Sequence, residues 1–218
     1  LLDRLTTYMY IGEDFRLPLA VFRMWKWTSK YGLSCHSPVA FASAGIMLSG
    51  VLNDLVNGTC YGNKALDLLS KTKSLATESR TKLLVHSFVR PWTKPCKGEL
   101  KPLFSGYQAG LTHGDLDSAM YCIFHHLVLR VVGGGCTLEI LEADCKIYST
   151  QMRDLQRKNH LGLTNTIRQF CLCLMNKPRN ITLEFVGEII KTAEEYKVVE
   201  ESKLQRLTLH TYHGALLT

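Results

Sequence analysis

The reading of the fold turns on Leu138–Leu155, LEILEADCKIYSTQMRDL. Leu138, Leu141, Cys145, Tyr148, Met152 and Leu155 follow one another at steps of 3, 4, 3, 4 and 3. In a helix of 3.6 residues per turn that spacing lays all six on one face. The same period recurs in Leu100, Leu103, Phe104, Tyr107 and Leu111, in Ala40, Ala44, Met47, Val51 and Leu55, and in Leu163, Ile167, Phe170 and Leu174. No segment alternates strictly for long enough to read as a strand. The expected fold class is therefore all-α, an irregular α-solenoid of antiparallel helix hairpins.

Punctuation sets the lengths. Ser37-Pro38 reads as an N-cap followed by proline at the first helical position, and Leu17-Pro18 opens an earlier helix in the same way. Gly32 sits where that helix needs a residue of positive φ. Pro91 and Pro95 end a helix after Arg90, Pro102 falls in the first turn of the next, and Gly133-Gly134-Gly135 stops another. The predicted helices are 1–11, 17–31, 38–52, 54–72, 79–90, 99–112, 115–132, 138–156, 162–176, 185–199 and 202–213. The connections are short, so consecutive helices are expected to pack as antiparallel neighbours in a single helical-repeat domain over 1–218, with 177–218 as a C-terminal hairpin.

Composition excludes several classes. The chain has 218 residues, 46% apolar and 21% charged, which rules out a disordered or collagen-like chain. The most apolar run, Cys122–Val132, is broken by His125, His126 and Arg130, so it does not read as a membrane span. The chain opens at Leu1 with no basic and apolar leader, and its abrupt ends are expected for a piece of a longer protein.

The net charge of +7 is local. Lys71, Lys73, Arg80, Lys82, Arg90, Lys94, Lys97 and Lys101 are opposed only by Glu78 and Glu99, so 71–101 carries +6 of it. Such a strip is either a solvated helix face or a surface for an acidic partner. Aromatic residues within it are limited to Phe88 and Trp92, which disfavours nucleic acid. Phe88-Val-Arg-Pro-Trp92 combines a helix stop with a tryptophan and following lysines. It reads either as Trp92 packed under the next helix or as a rigid exposed elbow. On the second reading Arg90, Trp92, Lys94, Lys97 and Lys101 are the candidate partner contacts. Trp25 and Trp27 lie two apart and face different sides of their helix, one toward the core.

Eight cysteines are scattered without a Cys-x-x-Cys pair, which points to reduced thiols in a cytoplasmic protein. Cys122 and His126 share a helix face and, with Cys171 and Cys173, could ligate zinc, or could simply be a buried thiol and a hydrogen-bonded imidazole. Asp115, Asp117, Glu139, Glu142 and Asp144 show no catalytic pairing and read as first-turn residues facing helix dipoles. Asn57-Gly-Thr59 and Asn180-Ile-Thr182 match the glycosylation pattern, which means little without a secretory leader. There is no phosphate-binding Gly-rich loop, nucleophile elbow or zinc-protease helix. No cofactor, metal or catalytic residue is expected.

Asn53-Asp-Leu-x-x-Gly58 and Gly114-Asp-Leu-x-x-Ala119 align at an offset of 61. Each is a turn, a candidate capping Asp and then a small residue where two helices can close up, as in tetratricopeptide-type hairpins. Several further segments stand together along the chain: Lys30-Tyr-Gly-Leu-Ser-Cys-His-Ser-Pro38 with Ala40-Phe41-Ala42, Tyr61-Gly62 with Ala65-Leu66-x-Leu68-Leu69, Phe88-Val-Arg-Pro-Trp92, Leu103-x-x-Gly-Tyr107-x-x-Gly-Leu-x-x-Gly-Asp115 and Tyr148-x-x-Gln-Met152. In order and spacing, over about 16–176, they resemble the tetratricopeptide-like helical-repeat region of large multidomain signalling ATPases. In that family a protein-kinase-like domain and a P-loop ATPase precede the repeats, and sensor and histidine-kinase or cyclase domains follow. The resemblance implies a non-catalytic scaffold or regulatory arm that contacts protein partners or other domains, with no membrane role. The alternatives are a stand-alone adaptor whose basic strip binds an acidic protein or nucleic acid, and an all-α metalloenzyme.

Overall fold

The computed structural model describes residues 2–12, 14–175 and 189. The predicted helices 185–199 and 202–213, the hairpin over 177–218 and the Asn180 sequon lie outside them, Ile189 apart. The described residues form nine α-helices, most of them packed on their sequence neighbours as antiparallel pairs in a helical-repeat arrangement. They are α1 Leu2–Ile11, α2 Leu17–Tyr31, α3 Ser37–Ile46, α4 Leu55–Thr72, α5 Leu75–Phe88, α6 Cys96–His113, α7 Leu116–Gly133, α8 Leu138–Asp154 and α9 Lys158–Met175. Contacts divide the chain into two compact units, Leu1–His126 and Leu127–Thr218, with the boundary inside α7.

In the second unit, the stripe that decides the fold faces its partner helix as expected. Leu141, Cys145 and Met152 of α8 are buried, as are Leu163, Ile167, Phe170 and Cys171 of α9. Ser149 Oγ donates to Asn165 Oδ1 at 3.0 Å across the same pair. Thr137 caps α8, its side chain accepting from Ile140 N.

The core of the first unit is built on α3, α4 and α5, where Ala42, Ala65 and Val85 are completely buried. The pair α3–α4 closes through glycines. A Cβ on Gly45 would lie 2.9 Å from the Gly58 carbonyl oxygen, and one on Gly58 would lie 2.9 Å from that of Gly45 and 2.0 Å from Ser49 Oγ. The repeat at offset 61 reproduces this contact with the roles exchanged. Gly110 makes the room, since a Cβ there would lie 2.7 Å from Ala119 Cβ. The turns also match. Asn53 at φ 54 and Gly114 at φ 80 both have positive φ. Asp54 then caps α4 by accepting from Asn57 N at 3.0 Å. At the corresponding position Asp115 turns its carboxylate to Arg4, at 2.9 Å.

Several predicted boundaries are corrected. The helix over 38–52 is α-helical only to Ile46 and continues as a π-turn, Met47–Val51, with Leu52 N bonded to Met47 O at 3.1 Å. Ser37 is the first helical residue, not the cap, and its Oγ accepts from Ser34 N at 2.8 Å. α5 starts at Leu75, a turn before the predicted 79, because Thr77, Ser79, Arg80 and Thr81 are buried although polar. α6 starts at Cys96, so Pro102 lies inside it and not in its first turn. α9 likewise starts at Lys158.

The backbone contact at Gly58 gives a direct comparison. Gly58→Ala is expected to lower the urea midpoint of unfolding by ~1–3 kcal/mol equivalent, as overpacking in a closed interior does. Gly98→Ala, on α6 with nothing within 4 Å of the added methyl, is expected to leave it unchanged or slightly raised.

Candidate functional site

The segment singled out in the sequence forms a braced elbow. α5 stops at Phe88, and Arg90–Trp92 makes one turn of 3₁₀ helix with Pro91 supplying its fixed φ. Thr93 N and Lys94 N both donate to Arg90 O, at 2.9 and 2.8 Å, which closes the turn. Val89 anchors the elbow beneath. It is fully buried, and Gly62 of α4 leaves the space it fills, a Cβ there falling 2.9 Å from Val89 Cγ1.

Glu99 braces the other side. Its side chain is only 2% exposed, yet it meets His86 Nδ1 at 2.5 Å and accepts from Arg90 Nε at 3.2 Å. Burial is the main influence on His86 and moves its pKa below the ordinary imidazole value, against the opposing pull of Glu99. With the ring held toward neutrality, the Nδ1–H tautomer is the one that donates to Glu99. A buried carboxylate so partnered ties α5, the elbow and α6 together.

The outer surface of the elbow is different. Trp92 is 63% exposed, with its Nε1 donating to Phe88 O at 3.0 Å, so the ring is held but not covered. Lys94, Lys97 and Lys101 are exposed. The reading in which Trp92 packs under the next helix is thus corrected. Of the five candidate residues, Trp92 and the three lysines face solvent, while Arg90 is engaged inward. An exposed indole followed along the chain by three exposed lysines is suited to a partner that offers an apolar contact and carboxylates. Nothing in the sequence singles out Glu99 and His86 as a pair. In a basic strip Glu99 looks like a stray opposing charge, and only its burial reveals the brace.

The remaining candidates have structural partners. The Cys122 thiol donates to Ser79 O at 3.6 Å, and burial raises its pKa to about 12. His126 Nδ1 lies 3.0 Å from Leu100 O. Burial pushes the Cys171 thiol up to about 11 and that of Cys145 higher still, so these sulfurs stay protonated and poorly nucleophilic. Among the described residues no three His, Cys, Asp or Glu side chains form a metal-sized group. Asp117 and Glu139 do sit in first turns, but Glu142 pairs with Arg168 at 2.6 Å and Asp144 with Arg130 at 2.5 Å. Trp25 is half-buried, and Trp27 lies under the Arg23 guanidinium at 5.0 Å. Among the described residues no helix is long and apolar enough to cross a membrane. No protein-family model, curated protein or solved structure matches the chain.

The elbow separates bracing from display. Lys94→Glu, Lys97→Glu and Lys101→Glu together are expected to change stability by less than ~1 kcal/mol, and Trp92→Ala by a similarly small amount. Arg90→Glu, which sets a second carboxylate against buried Glu99, is expected to cost ~2 kcal/mol or more. Chemical denaturation of the variants measures both.

His125 gives a pH prediction. Its ring lies 4.8 Å from that of Phe88 and 5.1 Å from that of Phe124, and burial pushes its pKa down to about 4. An unfolded histidine titrates near 6.5, so between about 4 and 6.5 the unfolded chain binds the extra proton. Stability is therefore expected to be full above about pH 6.5 and to fall by ~2–3 kcal/mol toward pH 4. His125→Gln, followed by thermal melts across that range, should flatten this part of the profile.

Proposed function

We propose that the chain is a non-catalytic helical-repeat scaffold, the regulatory arm of a multidomain signal-transduction ATPase or kinase, and that it contacts a protein partner or another domain of its own chain through the elbow. The observation that carries the reading is the exposure of Trp92 and Lys94 at a turn whose underside is fixed by Val89 and Glu99, with Lys97 and Lys101 exposed on the first two turns of α6. A ring held in place while exposed loses little side-chain entropy on binding, which suits it to a contact residue. Packing of helices on their sequence neighbours supports an arm, because a hairpin buries its apolar face only against the next one. The resemblance of 16–176 to the repeat region of signalling ATPases supplies the parent architecture.

The test has two parts. The 218-residue chain is expected neither to bind nor to hydrolyse ATP, since it lacks a phosphate-cradling loop. Stoichiometric magnesium-dependent binding in calorimetry would contradict this. Coding sequence for kinase-like and P-loop segments is expected upstream of Leu1. In that longer protein Trp92→Ala with Lys94→Glu, Lys97→Glu and Lys101→Glu should alter the ATPase rate while the melting temperature stays put. An unchanged rate removes the elbow from regulation. A start codon immediately before Leu1 points instead to a stand-alone adaptor.

A further inference from the structure

A second surface on the first unit lies apart from the elbow residues. An open groove of about 430 Å³ is lined by Pro18, Phe22 and Trp25 of α2, Met47 and Leu48 of the π-turn and Tyr61 of α4, among other apolar residues. No lining residue carries a charge. Its outer wall leaves large side chains in water, with Leu19 67% and Phe22 58% exposed. The π-turn contributes directly. Met47 and Leu48, at the start of that turn, both line the groove. Phe41 stacks on Tyr61 at 5.7 Å and holds the floor.

The charges around it are one-sided. From Phe15 to Asn53 there is no Asp or Glu, while Arg16, Arg23, Lys26 and Lys30 are all basic. Arg16 is bound by Asp14 at 2.8 Å, Arg23 lies over Trp27, and the carboxylate of Asp54 caps α4. Lys26 and Lys30 are exposed and follow Phe22 at i+4 and i+8, along the same strip of α2. On α4, exposed Lys64 follows Tyr61 at i+3, with Asp67 three residues further round the helix. Lys26 and Lys30 on α2 and Lys64 on α4 thus each lie C-terminal to a groove residue on their own helix, exposed beside an uncharged lining.

We infer that this groove, bounded by α2, the π-turn and α4, docks an amphipathic helix of a partner protein, with apolar anchors in the groove and Asp or Glu in the adjoining turn against Lys26, Lys30 and Lys64. The groove follows α2 from Pro18 to Trp25, seven residues or about 10 Å, which matches anchors at i, i+3 or i+4 and i+7. The apolar lining is shared among three elements, the form in which a helix groove presents its anchor sites. The contact goes beyond the elbow reading and does not depend on it.

The test selects a phage-displayed library of helical peptides, randomised at the anchor positions and in the following turn, against the 218-residue chain. Enriched peptides are expected to carry Leu, Phe or Met anchors followed by Asp or Glu. A labelled peptide from that pool should lose about tenfold or more in affinity with Phe22→Glu and with Leu19→Glu, by fluorescence anisotropy. Lys26→Glu, Lys30→Glu and Lys64→Glu together should weaken it similarly and shift selection toward basic turns. Both apolar positions are more than half exposed, so either variant suffices if the other fails to fold. Trp92→Ala should leave the affinity unchanged, which separates this site from the elbow. No enrichment over an unrelated helical protein, enrichment indifferent to charge, or binding insensitive to both apolar variants would overturn the inference. So would binding to phosphatidylserine vesicles, lost in Phe22→Glu, with no peptide selected.

Discussion

Helices α3 and α4 of the first unit meet backbone against backbone. With Gly45 and Gly58 face to face, neither can carry a Cβ without pressing on the other's carbonyl oxygen at 2.9 Å. Much else follows from that approach. It brings α4 near enough for Gly62 to receive Val89, which fixes the end of α5 and hence the elbow. It accompanies the π-turn, whose Ser49 lies against Gly58 and whose Met47 and Leu48 line the groove. The elbow and the groove thus draw on one small-residue contact.

Glu99 supplies the complementary constraint. A buried carboxylate is costly unless its oxygens are met, and His86 and Arg90 meet both. The same bonds remove Arg90 from the basic surface, so the positive charge displayed at the elbow belongs to Lys94, Lys97 and Lys101. The strip reads as one charged run in sequence, but in space it has an inward structural member and an outward set. Arg80 belongs to the inward kind as well. It is 6% exposed and bonds to Thr6 and Thr7 of α1.

How much of this was legible follows from which forces leave a trace in sequence. The α8 stripe was plain because an apolar face repeats at the helical period, and Leu141, Cys145 and Met152 are buried where that period puts them. The repeated turn was legible because positive φ and close approach restrict residue type at Asn53, Gly114, Gly58 and Ala119. The start of α5 was not, because its inward face is Thr77, Ser79, Arg80 and Thr81, and polar side chains turned inward carry no hydropathy signal. The π-turn was hidden for another reason. Ala40, Ala44, Met47, Val51 and Leu55 keep an acceptable helical period, and one extra residue per turn falls within its tolerance. Trp92 could be read both ways, since a helix stop fixes where the chain bends but not which side of the ring meets solvent.

The first unit joins its helices in two different ways. α3, α4 and α5 meet through Ala42, Ala65, Val85 and the glycines, contacts that depend on shape and are indifferent to pH and salt. α1 is held by charge. Its Asp3 and Thr6 are buried, His36 Nδ1 lies 3.0 Å from Asp3 Oδ2, and Arg4 reaches Asp115 at 2.9 Å. Burial alone would raise the Asp3 carboxyl, but Arg80 and His36 outweigh it and hold the pKa below the usual carboxylate value. α1 meanwhile leaves Leu5, Tyr8 and Tyr10 exposed. A helix that turns polar groups inward and apolar ones outward gains little from apolar burial, so its attachment rests on satisfied bonds and opposite charges. The interior of this unit is therefore graded: free of titratable groups where glycine meets glycine, and responsive to pH where α1 meets Arg80.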